Sequence, residues 1–242
     1  MSIDREKLPL HIGLTLDGNG RWAQLRKLPR TSGHEEGLRT LKVIVKAADD
    51  LGIKHLTLYA FSTENWKRAQ QEVGFLMNLI HNHLIDELDF YRENGIKLNH
   101  IGDITGLPKN IQNDLKEAIE DTKDFNKMTV NLAINYGGRD EIIRGVKKII
   151  NDKVNPDEID EKLFSSYLDM PSSPDVDLLI RTGGEQRLSN FLLWHVPYAE
   201  QIYTNTLWPD YTVEEFYSHI EDFQHRSRRF GAEKPSPSEG KW

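Results

Sequence analysis

The sequence predicts an α/β fold: a single domain with a largely parallel sheet of six strands flanked by helices. Two observations carry that prediction. Short apolar segments alternate with longer amphipathic ones, as in strand–helix–strand units. The polar residues capable of chemistry fall directly after the apolar segments, where ligands sit in such sheets. The length of 242 residues, with 38% hydrophobic and 29% charged residues, suits one globular domain with a substantial core.

In chain order, strands are read at residues 10–16 (LHIGLTL), 54–61 (KHLTLYAF), 96–102 (IKLNHIG), 128–135 (MTVNLAIN) and 176–182 (VDLLIRT), with 199–205 (AEQIYTN) a weaker sixth. Helices are expected over 35–51, 70–94, 108–125, 139–150 and 213–229. Pro108 opens its helix at the position where a missing N–H costs nothing. The segment 70–94 carries one apolar stripe through Val73, Leu76, Ile80, Leu84 and Leu88. Phe75, Leu79 and Phe90 begin a second, which lines a channel, packs in the core or meets another subunit; all three readings stay open. The domain is assigned to residues 1–231, and the Pro- and Ser-rich stretch 232–242 reads as a flexible tail.

The formal net charge of -7 argues against a general nucleic-acid binder, so any anionic ligand must be held by a local group of cations. No cysteine is present, which removes disulfides, thiolate nucleophiles and Cys-based zinc sites. The charged start MSIDREKLPL lacks the apolar core of a signal peptide, and no segment approaches a membrane span. A cytoplasmic protein is expected, with peripheral membrane contact left open.

Gly18, Gly20 and Ala23 form G-x-G-x-x-A after the first strand, which invites a dinucleotide reading. That reading fails, because the following segment has helical rather than strand periodicity and Asp17 would repel a pyrophosphate. A divalent ion resolves the conflict: an Asp at a strand end holds Mg²⁺, whose other ligands are water and phosphate oxygens. Arg21, Arg26, Lys27 and Arg30 supply positive charge, and His34 one more hydrogen bond. FSTENWKR places Ser62, Glu64, Asn65 and Arg68 beyond the second strand, either as caps or as substrate-orienting groups. Arg181, Arg187 and Ser189 surround a paired-glycine turn and suit a second diphosphate; the plainer reading is a turn with Glu185 as ion-pair partner. His81 and His83 are too close in sequence to share a helix face and read as surface residues.

Together DGNGRWA, Gly33–His34, LTLYAFSTENWKR, NYGGRDEI, DLLIRTGGEQRLSNFLLW and LWPDY resemble the cis-prenyltransferases, of the bacterial undecaprenyl diphosphate synthase type. The similarity runs in order from about residue 11 to 231. It implies a homodimeric, Mg²⁺-dependent α/β enzyme that adds isopentenyl diphosphate repeatedly to farnesyl diphosphate, each time with a cis double bond, for a cell-wall carrier lipid. Position by position, Asp17 matches the catalytic metal-binding acid and Glu200 a second metal ligand. Gly18, Asn19, Gly20, Arg21, Arg30 and His34 match the allylic diphosphate site, with Trp22 beside it. Ser62, Thr63, Glu64, Trp66 and Arg68 match substrate contacts, and Asn65 the residue assigned as proton acceptor. An amide is a poor base, so water or a diphosphate oxygen stays open in that role. Arg181, Arg187, Leu188 and Ser189 match the isopentenyl diphosphate site. Residues 228–231 (RRFG) resemble a C-terminal segment that reaches the neighbouring subunit. Departures fall at Leu16, Ala69, His195 and Pro197, and Met128 lies in a strand bordering the expected product channel; these bear on chain length. A noncatalytic partner subunit would lack the DGNGRW residues, and a phosphate-binding regulator would not need two arginine sites.

Overall fold

The computed structural model describes residues 3–226, so the RRFG segment and the expected tail lie outside the described residues. Six parallel strands form one sheet in the order β3-β4-β2-β1-β5-β6. They are β1 (His11–Thr15), β2 (His55–Ser62), β3 (Ile96–Ile101), β4 (Met128–Tyr136), β5 (Leu178–Arg181) and β6 (Glu200–Tyr203). All five residues of β1 are buried, as a central strand covered on both faces requires. On one face the core joins Ile12, Leu14, Leu56, Leu58 and Val130 to helices packed above them; a second cluster around Tyr136, Leu179 and Phe191 fills the other face.

The helices are α1 (Asn19–Leu25), α2 (Arg30–Leu51), α3 (Gln70–Asp86), α4 (Leu88–Glu93), α5 (Lys109–Thr122), α6 (Gly138–Asn151), α7 (Glu161–Ser166) and α8 (Val213–His225). Several differ from expectation. α2 starts at Arg30 rather than residue 35, because Pro29 fixes an extended entry and Arg30 to Gly33 follow it directly into the helix. The expected helix 70–94 divides at Glu87, whose backbone leaves the helical region (φ -104, ψ 3) while its carboxylate is held by Lys42 at 2.5 Å. Two short helices, α1 and α7, were not expected; Asp160 caps α7 by accepting from Leu163 N–H at 2.7 Å. No helix of the described residues is long and apolar enough to cross a membrane.

Candidate active site

In strand register Thr15 lies between Tyr59 and Arg181, so β1 and β5 end level while β2 runs on to Ser62. The loops leaving those ends surround a cavity of about 800 Å³. Its walls include Asp17, Gly18, Asn19, Gly20, Arg21, Arg30, His34, Ser62, Glu64, Asn65, Arg68, Arg181, Arg187 and Ser189. Gly18 makes the first turn possible: its φ of 117° disfavours any side chain, and a Cβ there would meet Leu207 Cα at 2.9 Å.

The cations fall into two groups. On one side Arg30 and Arg68 converge on a single Glu72 oxygen at 3.3 and 3.0 Å, and His34 Nε2 stands 3.9 Å from the same atom. Because α2 begins at Arg30, its amino end also faces this group and adds a partial positive charge. Burial, then the Arg68 charge, lowers the His34 pKa to about 4 against the opposing pull of Glu72, so the ring is neutral at pH 7. On the other side Arg181, only 4% exposed, ends β5. Its Nη2 pairs with Asp17 Oδ2 at 2.7 Å, and its Nη1 donates to Ser189 Oγ at 2.7 Å and to the Arg187 carbonyl. Asp17 therefore stands on the Arg181 side of the cavity, and Arg21 is anchored nearby by donating to Gly183 O at 2.5 Å.

Several expected residues, in this wall or behind it, are held by their neighbours. Ser62 and Asn65 form a reciprocal cap over the 3-10 turn Thr63–Lys67, with Ser62 N–H donating to Asn65 Oδ1 at 3.1 Å. The Asn65 amide oxygen is thus already an acceptor for backbone. Trp66 Nε1 donates to Asn135 Oδ1 at 2.7 Å and meets Phe61 edge-on. Thr63 donates to Glu64 at 3.2 Å. Trp22 donates to Asp210 at 2.6 Å and carries the Arg26 guanidinium 4.3 Å over its ring. Leu188 packs on the second core cluster rather than into the cavity.

Glu200 is not brought to Asp17. It starts β6 opposite Leu178, at the amino edge of the sheet, and its carboxylate accepts from Arg226 at 3.0 Å. Within one chain, parallel register thus sets Asp17 and Glu200 at opposite ends of the strands. His83 is also not a surface residue. It is half-buried, its Nε2 shares a hydrogen bond of 3.0 Å with the Tyr91 hydroxyl, and burial lowers its pKa to about 4. His81 pairs with Asp114 at 2.5 Å.

Sequence reasoning missed Glu72, Tyr59 and Asn190. Asn190 sits at φ 63° and joins three loops, donating to Glu64 at 2.9 Å and accepting from Arg139 N–H at 2.9 Å. Tyr59 stacks on Phe191 at 4.3 Å beneath the Ser189 turn, and burial followed by Glu64 pushes its hydroxyl pKa up, so it stays a donor. The sequence offered only the residue type as a signal, since Asn tolerates the positive φ found at this position better than most residues. The deeper cavity wall is apolar: Leu38 and Leu41 of α2 face Leu76, Leu79 and Ile80 of α3.

Two cationic groups stand at the mouth with an aliphatic wall behind them, an arrangement that suits a prenyl-transferring enzyme. The chain belongs to the isoprenyl transferases, prenyl-transferring enzymes: the family profile described as putative undecaprenyl diphosphate synthase matches residues 15–231. It is 54% identical over 221 residues to the isoprenyl transferase of Treponema denticola, covering 91% of this chain and 96% of that one. The isoprenyl transferase of Bacillus subtilis is 47% identical over 229 residues, 93% of this chain and 88% of the relative. Among solved structures, a probable undecaprenyl diphosphate synthase from Campylobacter jejuni aligns with TM-score 0.79 and 37% identity, covering 93% of this chain and 99% of that one. Lavandulyl diphosphate synthase from Lavandula x intermedia, solved with dimethylallyl diphosphate, aligns with TM-score 0.90 and 34% identity over 94% of this chain and 100% of its own.

Proposed function

We propose that this enzyme condenses isopentenyl diphosphate repeatedly onto an allylic diphosphate, farnesyl diphosphate, to give a long cis-polyprenyl diphosphate such as undecaprenyl diphosphate. The observation that carries this reading is a pair of buried groups without partners among the described residues, His34 Nε2 and Arg181 Nε, one in each cationic group. Unpaired buried polar atoms are costly, and a phosphate oxygen at each would satisfy them. The allylic diphosphate is assigned to Arg30, His34, Arg68, Arg21 and the turn Gly18–Gly20; isopentenyl diphosphate to Arg181, Arg187 and Ser189.

Mg²⁺ fits this donor set. Among the described residues no group of three or more His, Cys, Asp or Glu is placed to hold a metal, whereas Asp17, with a side chain 38% exposed, offers one carboxylate at the cavity. Mg²⁺ is commonly held by one or two carboxylates with substrate phosphates and water. When bound it offsets charge on the departing diphosphate. The chain's own groups orient both heads, and the arginines stabilise the charge that develops as the allylic bond breaks. Asn65 positions rather than accepts a proton, since its amide oxygen is engaged by Ser62 N–H. A diphosphate oxygen takes the proton lost from the added unit.

A homodimer is supported by an exposed aliphatic stripe on α6, Ile143 (53%), Val146 (39%) and Ile150 (67%). Peripheral membrane contact for product release is consistent with the exposed Leu25 and Leu28 beside Lys27. A single-addition enzyme with a short product is the second reading, prompted by the lavandulyl diphosphate synthase likeness. The aliphatic wall of α2 and α3 favours the long product. Incubating the purified chain with Mg²⁺, farnesyl diphosphate and isopentenyl diphosphate should give a product ladder by mass spectrometry. A single addition supports the second reading, and no addition rejects both.

A further inference from the structure

We infer that Asn190 is a positioning residue: its side chain sets the separation of the two diphosphate pockets by tying together the loops that leave β2, β4 and β5. The inference rests on the two-substrate reading above and adds to it a residue that holds neither substrate's charge. Asn190 follows Ser189 directly, in the segment assigned to isopentenyl diphosphate. Glu64 precedes Asn65 and stands four residues before Arg68, in the turn that leads to the allylic pocket.

Three hydrogen bonds make the junction. The Asn190 backbone carbonyl accepts from Gly138 N–H at 2.7 Å, and its Oδ1 accepts from Arg139 N–H at 2.9 Å. Both bonds fasten the residue to the first turn of α6, which follows the buried strand β4. The remaining group, Nδ2, crosses the other way and donates to Glu64 Oε1 at 2.9 Å. A single planar amide thus spans from α6 to the β2 turn, with all three loops anchored on adjacent parts of one rigid sheet.

Two independent features indicate that this spacing is imposed rather than incidental. Ser189, Asn190 and Leu192 have φ of 49°, 63° and 51°, a left-handed run that residues with side chains keep only where their surroundings hold them. Gly137 fills the space between the tied loops: a Cβ there would lie 2.7 Å from both Asn190 Nδ2 and Thr63 Oγ1. Its own φ of -157° is extended backbone open to any residue, so the position needs glycine for room and not for conformation.

The chemistry gives the spacing its consequence. Each charged head is gripped by cations on its own side of the cavity, so loosening the junction leaves those grips in place. It displaces one head relative to the other, and with it the two carbons that must meet. A misplacement of about 1 Å costs on the order of 100-fold in rate. The expected signature is therefore a slower chemical step with binding preserved.

Single-turnover kinetics of the first addition read this directly, with enzyme in excess over farnesyl diphosphate, Mg²⁺ present and isopentenyl diphosphate varied. Asn190→Gly, which accepts a φ of 63°, should lower the maximal rate by about 10-fold or more and move the half-saturating isopentenyl diphosphate concentration by less than about threefold. Asn190→Asp should fall similarly, because it sets a carboxylate against Glu64. Adding Glu64→Gln to Asn190→Asp restores the bond with donor and acceptor exchanged and should recover the rate severalfold. Gly137→Ala, which wedges the junction without removing a polar group, should reproduce the Asn190→Gly pattern. A wild-type rate in Asn190→Gly overturns the inference, as does weaker isopentenyl diphosphate binding at an unchanged maximal rate. A double variant no faster than Asn190→Asp overturns it too. Wild-type enzyme that elongates no primer in the same assay rejects the two-substrate reading instead.

Discussion

Lowering the pH from 7 toward 5 should markedly destabilise this protein before its carboxylates titrate, because three histidines, one buried and two half-buried, are held neutral. His11, His34 and His83 each have a pKa lowered from 6.5 to about 4, chiefly by burial. For His11 the hydrogen bonds fix the neutral tautomer. Nδ1–H donates to Pro174 O at 2.7 Å, so Nε2 accepts the Thr57 hydroxyl at 2.7 Å and has no room for a proton. The folded pKa lies below the unfolded one, so the associated stability is present above pH 6.5 and is lost as pH falls toward 4. Inside that window each histidine lets the unfolded state bind about one extra proton, a slope of about 1.4 kcal/mol per pH unit. Three acting together give roughly 4 kcal/mol per unit, against a total stability of about 5–15 kcal/mol. Urea denaturation at pH 7.5, 6.5 and 5.5 should therefore show stability nearly level over the first interval and steeply reduced over the second. His83→Gln should flatten that slope by about a third. Stability that stays level between pH 6.5 and 5 would refute the assignment of these three rings as neutral.

The same physics makes binding at His34 proton-coupled. A diphosphate beside the ring raises its pKa, so calorimetry in buffers of different ionisation heat should detect proton uptake near pH 5.5 that His34→Gln abolishes. Asp17→Ala should lower turnover by a factor of about 100 or more while the chain still folds, with a lower thermal midpoint because the nearly buried Arg181 loses its carboxylate partner. Circular dichroism and a product assay on the same preparation check both halves. Gly33→Ala should destabilise strongly, because an added Cβ would lie 2.0 Å from the Asn19 carbonyl oxygen where α1 crosses α2. Ser62→Ala removes the cap of the turn that carries Asn65; a loss of about 1 kcal/mol and a midpoint lower by roughly 2–4 °C are expected by thermal denaturation.

What the sequence disclosed, and what it did not, follows from the range of each interaction. The strands were legible because burial on both faces forces continuous apolar runs such as His11–Thr15, a purely local signal. The start of α2 was misplaced because Arg30 to His34 look like a basic loop by composition. Only Pro29 marked the entry, and reading it correctly would have put a helix amino end at the first diphosphate pocket. The divided helix at Glu87 was invisible because its cause, Lys42, lies 45 residues earlier in the chain. Glu72 was overlooked for a related reason. On its own it is a first-turn acid of α3, and its role as counter-charge to Arg30 and Arg68 exists only once three elements meet.

Glu200 shows the opposite limit. Resemblance transfers a residue type to a position, but the position's place in space comes from strand direction and register. β6 runs parallel to β5 with Leu178 opposite Glu200 and Arg181 opposite Tyr203. Three residues of strand, about 10 Å, therefore separate the level of Glu200 from that of the Arg181–Asp17 pair, before the lateral offset of the intervening strand is added. No side-chain rotation of a glutamate spans that gap. Within one chain the acid at the cavity and the acid at the sheet's far edge stand in different surroundings. At the cavity Asp17 answers Arg181, and Glu72 answers Arg30 and Arg68. On the proposed reading, each incoming diphosphate exchanges with a carboxylate already in contact with the cations it needs. A chain of net charge -7 can in this way keep two anion sites without exposing uncompensated positive charge between turnovers.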